Sequence, residues 1–222
     1  MSLRILPMTA DRPLNMQRIF LSASIPDSER WEGYFDAREI TDAVVAAARS
    51  ILTAGGILVT GAHPTIAPLL LYVAAEFPFN YPRVIVYQSG IFDNLMPSET
   101  LRFQESGVGI LRIVSPVEGD TPVPNRWDSS LLRMREQMFD QTNPIAGIYV
   151  GGMKGIRQEF NLMVRRESVL RTYALGAPGG EAASLVNLVP DSLRDMLATG
   201  NVYPTIFRKV VEDLTLAISP NR

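Results

Sequence analysis

Apolar residues along this chain keep switching between two spacings, and the switches divide it into alternating strands and helices. Short apolar runs at Arg18–Ala23, Ile57–Thr60, Arg83–Tyr87, Gly109–Val114, Ala146–Val150 and Arg171–Leu175 predict strands. Between them, apolar positions recur every three or four residues, the spacing of a helix with one buried face. Ala37–Ala54 carries Ile40, Val44, Ala47, Ala48, Ile51 and Leu52 in that pattern and stops at Gly55-Gly56. Ile66–Glu76 follows, with Thr65 as its expected cap and Pro68 in its first turn, where proline is tolerated. Ser98–Glu105, Asp128–Asp140, Ile156 to about Arg166, Ala182–Asn187 and Tyr203–Ala217 complete the helical set. Ser115–Asn125, with three prolines and a glycine, reads as a surface loop.

Strands apolar along their whole length, separated by helices, predict an α/β fold. The expectation is a Rossmann-like, doubly wound, mainly parallel sheet with helices on both faces. We read residues 18–222 as one domain and 1–17 as a lead segment. Ligands of such sheets bind beyond the carboxyl ends of the strands, where the strand order reverses. Four loops here leave strand ends, at Ser22–Asp27, Gly61–Pro64, Gly151–Gly155 and Ala177–Gly180, and they are expected to converge.

Composition narrows the class. At 222 residues, 46% apolar and 20% charged, the chain can bury a full core. Its formal net charge is −2 with no basic tract, which argues against non-specific binding to nucleic acid or to an anionic membrane. The absence of cysteine removes disulfides, thiolate catalysis and Cys-ligated metals. Met1–Asn15 lacks an apolar core of secretory length, and no apolar stretch reaches the roughly 18 residues of a membrane span. These features predict a cytoplasmic protein without membrane contact.

The chemistry concentrates at Gly151-Gly152-Met153-Lys154-Gly155, which joins a strand to a helix containing Arg157 and Glu159. Glycines let the backbone approach a ligand closely, and a helix N-terminus offers unpaired N–H groups to a phosphate. The sequence is neither G-x-G-x-x-G nor a P-loop, so a nicotinamide site or a standard NTP site is not supported. Glu159, placed on the first helical turn, suits a general acid/base, a ribose acceptor or simply the helix dipole. Arg157 suits a phosphate or solvent. His63 is the only histidine and cannot make a metal site alone, and there is no G-x-S-x-G elbow. Arg133 and Arg135 lie two apart on one helix, so at most one of them faces the site.

Taken in order, TGAHPTIAP, LLRMREQMF, VGGMKGIRQEF and ALGAPGGEAASL resemble the SLOG superfamily from about Arg18 to the last helix. That superfamily gathers DprA-like proteins, LONELY GUY phosphoribohydrolases and ligand-sensing domains of some channels and anti-phage effectors. The resemblance is nearest to the bacterial sensor branch, linked to nucleotide-derived messengers such as ADP-ribose variants. LONELY GUY enzymes carry P-G-G-x-G-T-x-x-E; here Val150 replaces the proline, the turn is one residue longer and Ile156 replaces the threonine. Glu159 keeps its spacing, and Met134-Arg135 stands where those enzymes have Arg-Lys.

The resemblance implies a binding domain for a nucleotide-derived signal, with no metal or redox cofactor. Gly151, Gly152, Met153 and Gly155 would hold phosphate, and Gly61, Ala62, His63 and Pro64 would form the opposite wall. Glu159 would accept a ribose hydroxyl, Arg135 or Arg157 would meet phosphate, and Gly179-Gly180 would close the site. Ser22, Ser24 and Thr60 are polar candidates. The rival readings are an N-glycosidase using Glu159 with Arg135, and a scaffold without a ligand. Val210, Val211, Leu214 and Ile218 on the last helix suit either a core or a homodimer or larger assembly, and an effector protein would read the bound state.

Overall fold

The structure is a computed structural model that describes residues 12–95, 98–123 and 126–219. Its centre is a six-stranded sheet in the order β4-β3-β2-β1-β5-β6. The strands are β1 (Arg18–Ser24), β2 (Ile57–Gly61), β3 (Val84–Ser89), β4 (Gly109–Val114), β5 (Ala146–Gly151) and β6 (Arg171–Ala174). Every pairing is parallel. The order reverses at β1, which pairs with β2 on one side and β5 on the other, so a crevice opens beyond its carboxyl end.

The helices are α1 (Ala37–Thr53), α2 (Ile66–Ala75), α3 (Ser98–Glu105), α4 (Asp128–Thr142), α5 (Lys154–Met163), α6 (Arg194–Thr199) and α7 (Tyr203–Ile218). Alternation along β1 divides them between the two faces. Phe20 meets Phe139 of α4 edge to face, and Tyr149 of β5 does the same with Phe20 and with Phe160 of α5. The space beside Gly56 brings Ile19 and Ile51 of α1 together on the other face. There α1 packs on α2 and on α7, which returns to cover it. Asp36 caps α1 by accepting the Glu39 N–H. On α7, Val210 and Leu214 are fully buried in this core, whereas Leu216 is 68% exposed.

Several local expectations are corrected. Thr65 does not cap α2: its backbone is already helical, and its N–H donates to His63 Nδ1 at 3.3 Å. Helix α5 begins at Lys154, two residues earlier than expected, so Gly155 is helical and Glu159 lies in the second turn. Residues 90–95 and 181–188 form 3₁₀ segments, and α6 had no counterpart in the apolar pattern. Arg83, expected to open a strand, is fully buried just before β3, stacked on Phe79 and Tyr81 and donating to Gly55 O and the Tyr81 hydroxyl. Leu14, in the lead segment, is also fully buried, its N–H donating to Ala54 O. No described helix is long and apolar enough to cross a membrane.

Candidate functional site

The crevice beyond β1 is a cleft of about 470 Å³, a common size for a small-molecule site. Strand ends supply its floor: Ser22 and Ser24 from β1, Thr60 and Gly61 from β2, Gln88 and Ser89 from β3. Helices supply its sides. Trp127, Asp128, Leu131, Met134 and Arg135 come from one face of α4 and its first turn, and Met153, Lys154, Gly155 and Glu159 come from the start of α5. Trp127, Leu131, Met134 and Arg135 follow the i, i+4, i+7, i+8 stripe that one face of a helix presents.

At the centre, Glu159 is shared between two donors. Ser22 Oγ donates to Oε2, and Arg135 Nε donates to Oε1 at 3.0 Å. Both ends of the ion pair are nearly buried, with side chains 12% and 14% exposed. Arg135 also donates to Gln158 Oε1 at 3.0 Å. Gly155 makes this geometry fit, because a Cβ there would stand 3.2 Å from Arg135 Nη2. Below the cluster, the buried Tyr149 hydroxyl has no hydrogen-bond partner. Burial, and then the Glu159 charge, push its pKa well above the ordinary tyrosine value.

His63 lines the cleft beside this cluster. Burial lowers its pKa below the ordinary 6.5, and the Glu159 charge offsets part of that. The unfolded chain thus takes the proton more readily, so His63 adds stability above about pH 6.5 that is lost as pH falls through the lower folded value. Because it is the only histidine, the effect can be assigned. Stability should decline from about pH 7 towards pH 5, and His63→Gln should flatten that decline in thermal melts. An identical slope in the variant would remove His63 as its source.

Of the residues expected at the site, the structure brings Ser22, Ser24, Thr60, Gly61, Ala62, His63, Arg135, Met153, Gly155 and Glu159 onto one cleft. Pro64, Gly151, Gly152, Arg157, Gly179 and Gly180 do not line it. Gly151 and Gly152 have φ of 63° and 70°, and their missing Cβ atoms would run into Ile40, Ile156 and Ser24. The Gly152 N–H is already donated to Ser24 O, and its carbonyl accepts from Glu181 N–H. The glycine pair therefore joins loops to one another. Helix α5 has no side-chain cap. Its first amides, at Met153, Lys154 and Gly155, have no intrahelical partners, and all three residues line the cleft. Arg157 pairs with Glu181 at 2.7 Å and with Ser184, and Arg133 donates to Pro116 O, which leaves Arg135 as the arginine of the three that lines the cleft.

The site also contains residues the sequence pattern did not single out: Arg30, Trp31, Gln88, Ser89, Phe92, Trp127 and Lys154. A signal for the tryptophans was present. Both sit in polar segments, DSERWEG and PNRWDSS. Among the described residues no His/Asp/Glu cluster could hold a metal ion.

A family model described as the SLOG cluster3 family matches residues 31–211. No curated protein matches the chain.

Proposed function

The chain belongs to the SLOG cluster3 family, a nucleotide-ligand-related group, and from that premise we propose that it binds an ADP-ribose-type nucleotide and reads it without cleaving it. The observation that carries this reading is the state of Glu159. Both of its oxygens are occupied, by Ser22 and Arg135, in a cleft that also takes in the start of α5. A carboxylate fixed in this way can still accept a ribose hydroxyl, because it has about four lone-pair sites in all. Acting as such a fixed acceptor needs no movement of either donor, whereas the glycosidase reading asks the same lone pairs to take a proton or bond to a sugar carbon.

The α5 amides, Lys154 and Arg30 supply the positive surroundings of a diphosphate. Neither Lys154 nor Arg30 is in an ion pair among the described residues. The amides act through N–H groups without intrahelical partners and through the helix dipole. The resemblance to sensor domains supports a signalling setting such as anti-phage defence, with an effector protein reading the bound state.

A thermal-shift panel of mononucleotides, NAD, ADP-ribose and cyclic ADP-ribose isomers tests the reading, with each mixture analysed for products. Ligand at 100 times its Kd stabilises by about 2.7 kcal/mol. For a chain of this size that corresponds to a Tm rise of about 5–10 °C. The expected result is such a rise with the ligand recovered intact. Release of free base would establish the glycosidase reading instead, and no shift with any compound would leave only a scaffold.

A further inference from the structure

Arg157 does not line the cleft, yet the carboxylate it holds does. Glu181 borders the cleft from the start of the 3₁₀ segment Glu181–Leu188. Its N–H donates to Gly152 O at 2.8 Å, which sets it against the turn that leads into α5. Arg157 Nε donates to Glu181 Oε1 at 2.7 Å. Arg157 Nη2 donates to Ser184 Oγ, which stands 3.1 Å from the same Oε1. The Glu181 side chain is 19% exposed and that of Arg157 is 39% exposed. The carboxylate is the more enclosed of the two, so it is the partner that most needs its charge answered.

The charges around the cleft give this pair a bearing on the ligand. Six charged side chains line it, with Arg30, Arg135 and Lys154 set against Asp128, Glu159 and Glu181. They cancel, so the lining alone offers an anion no positive excess. Arg157, outside the lining, cancels one of the three carboxylates and leaves the balance positive. A diphosphate is repelled by every uncompensated carboxylate on the wall, and that repulsion is strong where water is partly excluded.

Resting on the nucleotide reading above, we propose that Arg157 is a positioning residue for the ligand, one that touches no part of it and makes the cleft accept a diphosphate by masking Glu181. The rival role is contact, in which Arg157 leaves Glu181 and grips phosphate itself. The two differ in how Arg157 and Glu181 couple. Under masking, Glu181 harms binding only once Arg157 is gone. Under contact, neutralising Glu181 frees Arg157, so the gain is at least as large in wild type.

Isothermal titration of the full chain with ADP-ribose and with inorganic pyrophosphate tests this, across wild type, Arg157→Ala, Glu181→Gln and the double variant. Arg157→Ala should weaken both compounds by about tenfold. Adding Glu181→Gln should recover most of that loss, whereas the same change in wild type should alter affinity by less than about threefold. The loss in Arg157→Ala should also shrink at high salt, which screens a bare charge and leaves a packing defect untouched. The double variant meets the objection that Arg157 only supports the fold, because it lacks the same ion pair and should still bind. No loss in Arg157→Ala, or a loss that Glu181→Gln does not recover, overturns the masking and leaves the nucleotide reading standing. The expected pattern with pyrophosphate, but no binding of ADP-ribose to wild type, would remove the nucleotide and keep the masking. If wild type binds neither compound, both fail together.

Discussion

Gly180→Ala should lower stability by about 3–5 kcal/mol, one of the largest effects available to a single methyl group in this chain. Gly180 has φ 70° and ψ −169°, a region essentially closed to residues with a Cβ. Strain there contributes about 1–3 kcal/mol. The space is also filled. An added Cβ would stand 2.5 Å from the Gly151 carbonyl carbon and 2.8 Å from its Cα and oxygen. These are backbone atoms of the adjoining loop, so no rotamer change relieves the overlap, and forced repacking adds about 1–3 kcal/mol. Around this point three loops are bonded into one unit: Gly180 N–H to Tyr34 O, Asp36 N–H to Pro178 O and Glu181 N–H to Gly152 O. With a Tm change of about 2–4 °C per kcal/mol, the variant should melt roughly 10–15 °C below wild type. A loss below about 1 kcal/mol would mean that these loops shift freely.

The same junction shows how far the sequence could be read. The alternation of apolar runs was enough to give the parallel sheet and the helices around it, because both faces of such a sheet are buried and each strand must be apolar throughout. It also located the carboxyl-end loops. It did not separate glycines that admit a ligand from glycines that admit another loop. Gly61 borders the cleft, where a Cβ would find only Met134 at 3.8 Å, whereas a Cβ on Gly151 would meet Ile40 and Ser24 and one on Gly180 would meet Gly151. Both kinds look alike in a sequence, since each requires only the absence of a side chain. Arg135 could be narrowed to one of two arginines by helix geometry, but choosing it needed the position of α4 over β3 and α5. Gln88 and Ser89 lie just past the strand read as Arg83–Tyr87, and the structure carries β3 on through them to the floor of the cleft.

The other large effect should follow from Glu159→Gln, and it separates the groups that hold sugar from those that hold phosphate. The variant keeps the size of the side chain and an acceptor for Ser22, but it removes the charge opposite Arg135. A fully buried pair broken in this way costs about 3–5 kcal/mol and an exposed one about 0–1. With side chains 12% and 14% exposed but bordering an open cleft, this pair should fall between, at about 1–3 kcal/mol. Binding is more diagnostic. If Glu159 accepts a ribose hydroxyl, losing that charge-assisted bond should weaken ADP-ribose by about tenfold to a hundredfold. Inorganic phosphate has no ribose and, on the proposed reading, would rely on the α5 amides, Lys154 and the guanidinium freed at Arg135. Its affinity should stay the same or rise, because a negative charge has left its surroundings. Isothermal titration of both compounds against wild type and variant measures the contrast. Parallel losses for the two would show that Glu159 acts only by holding Arg135 in place, and unchanged ADP-ribose affinity would remove it from the ribose contact.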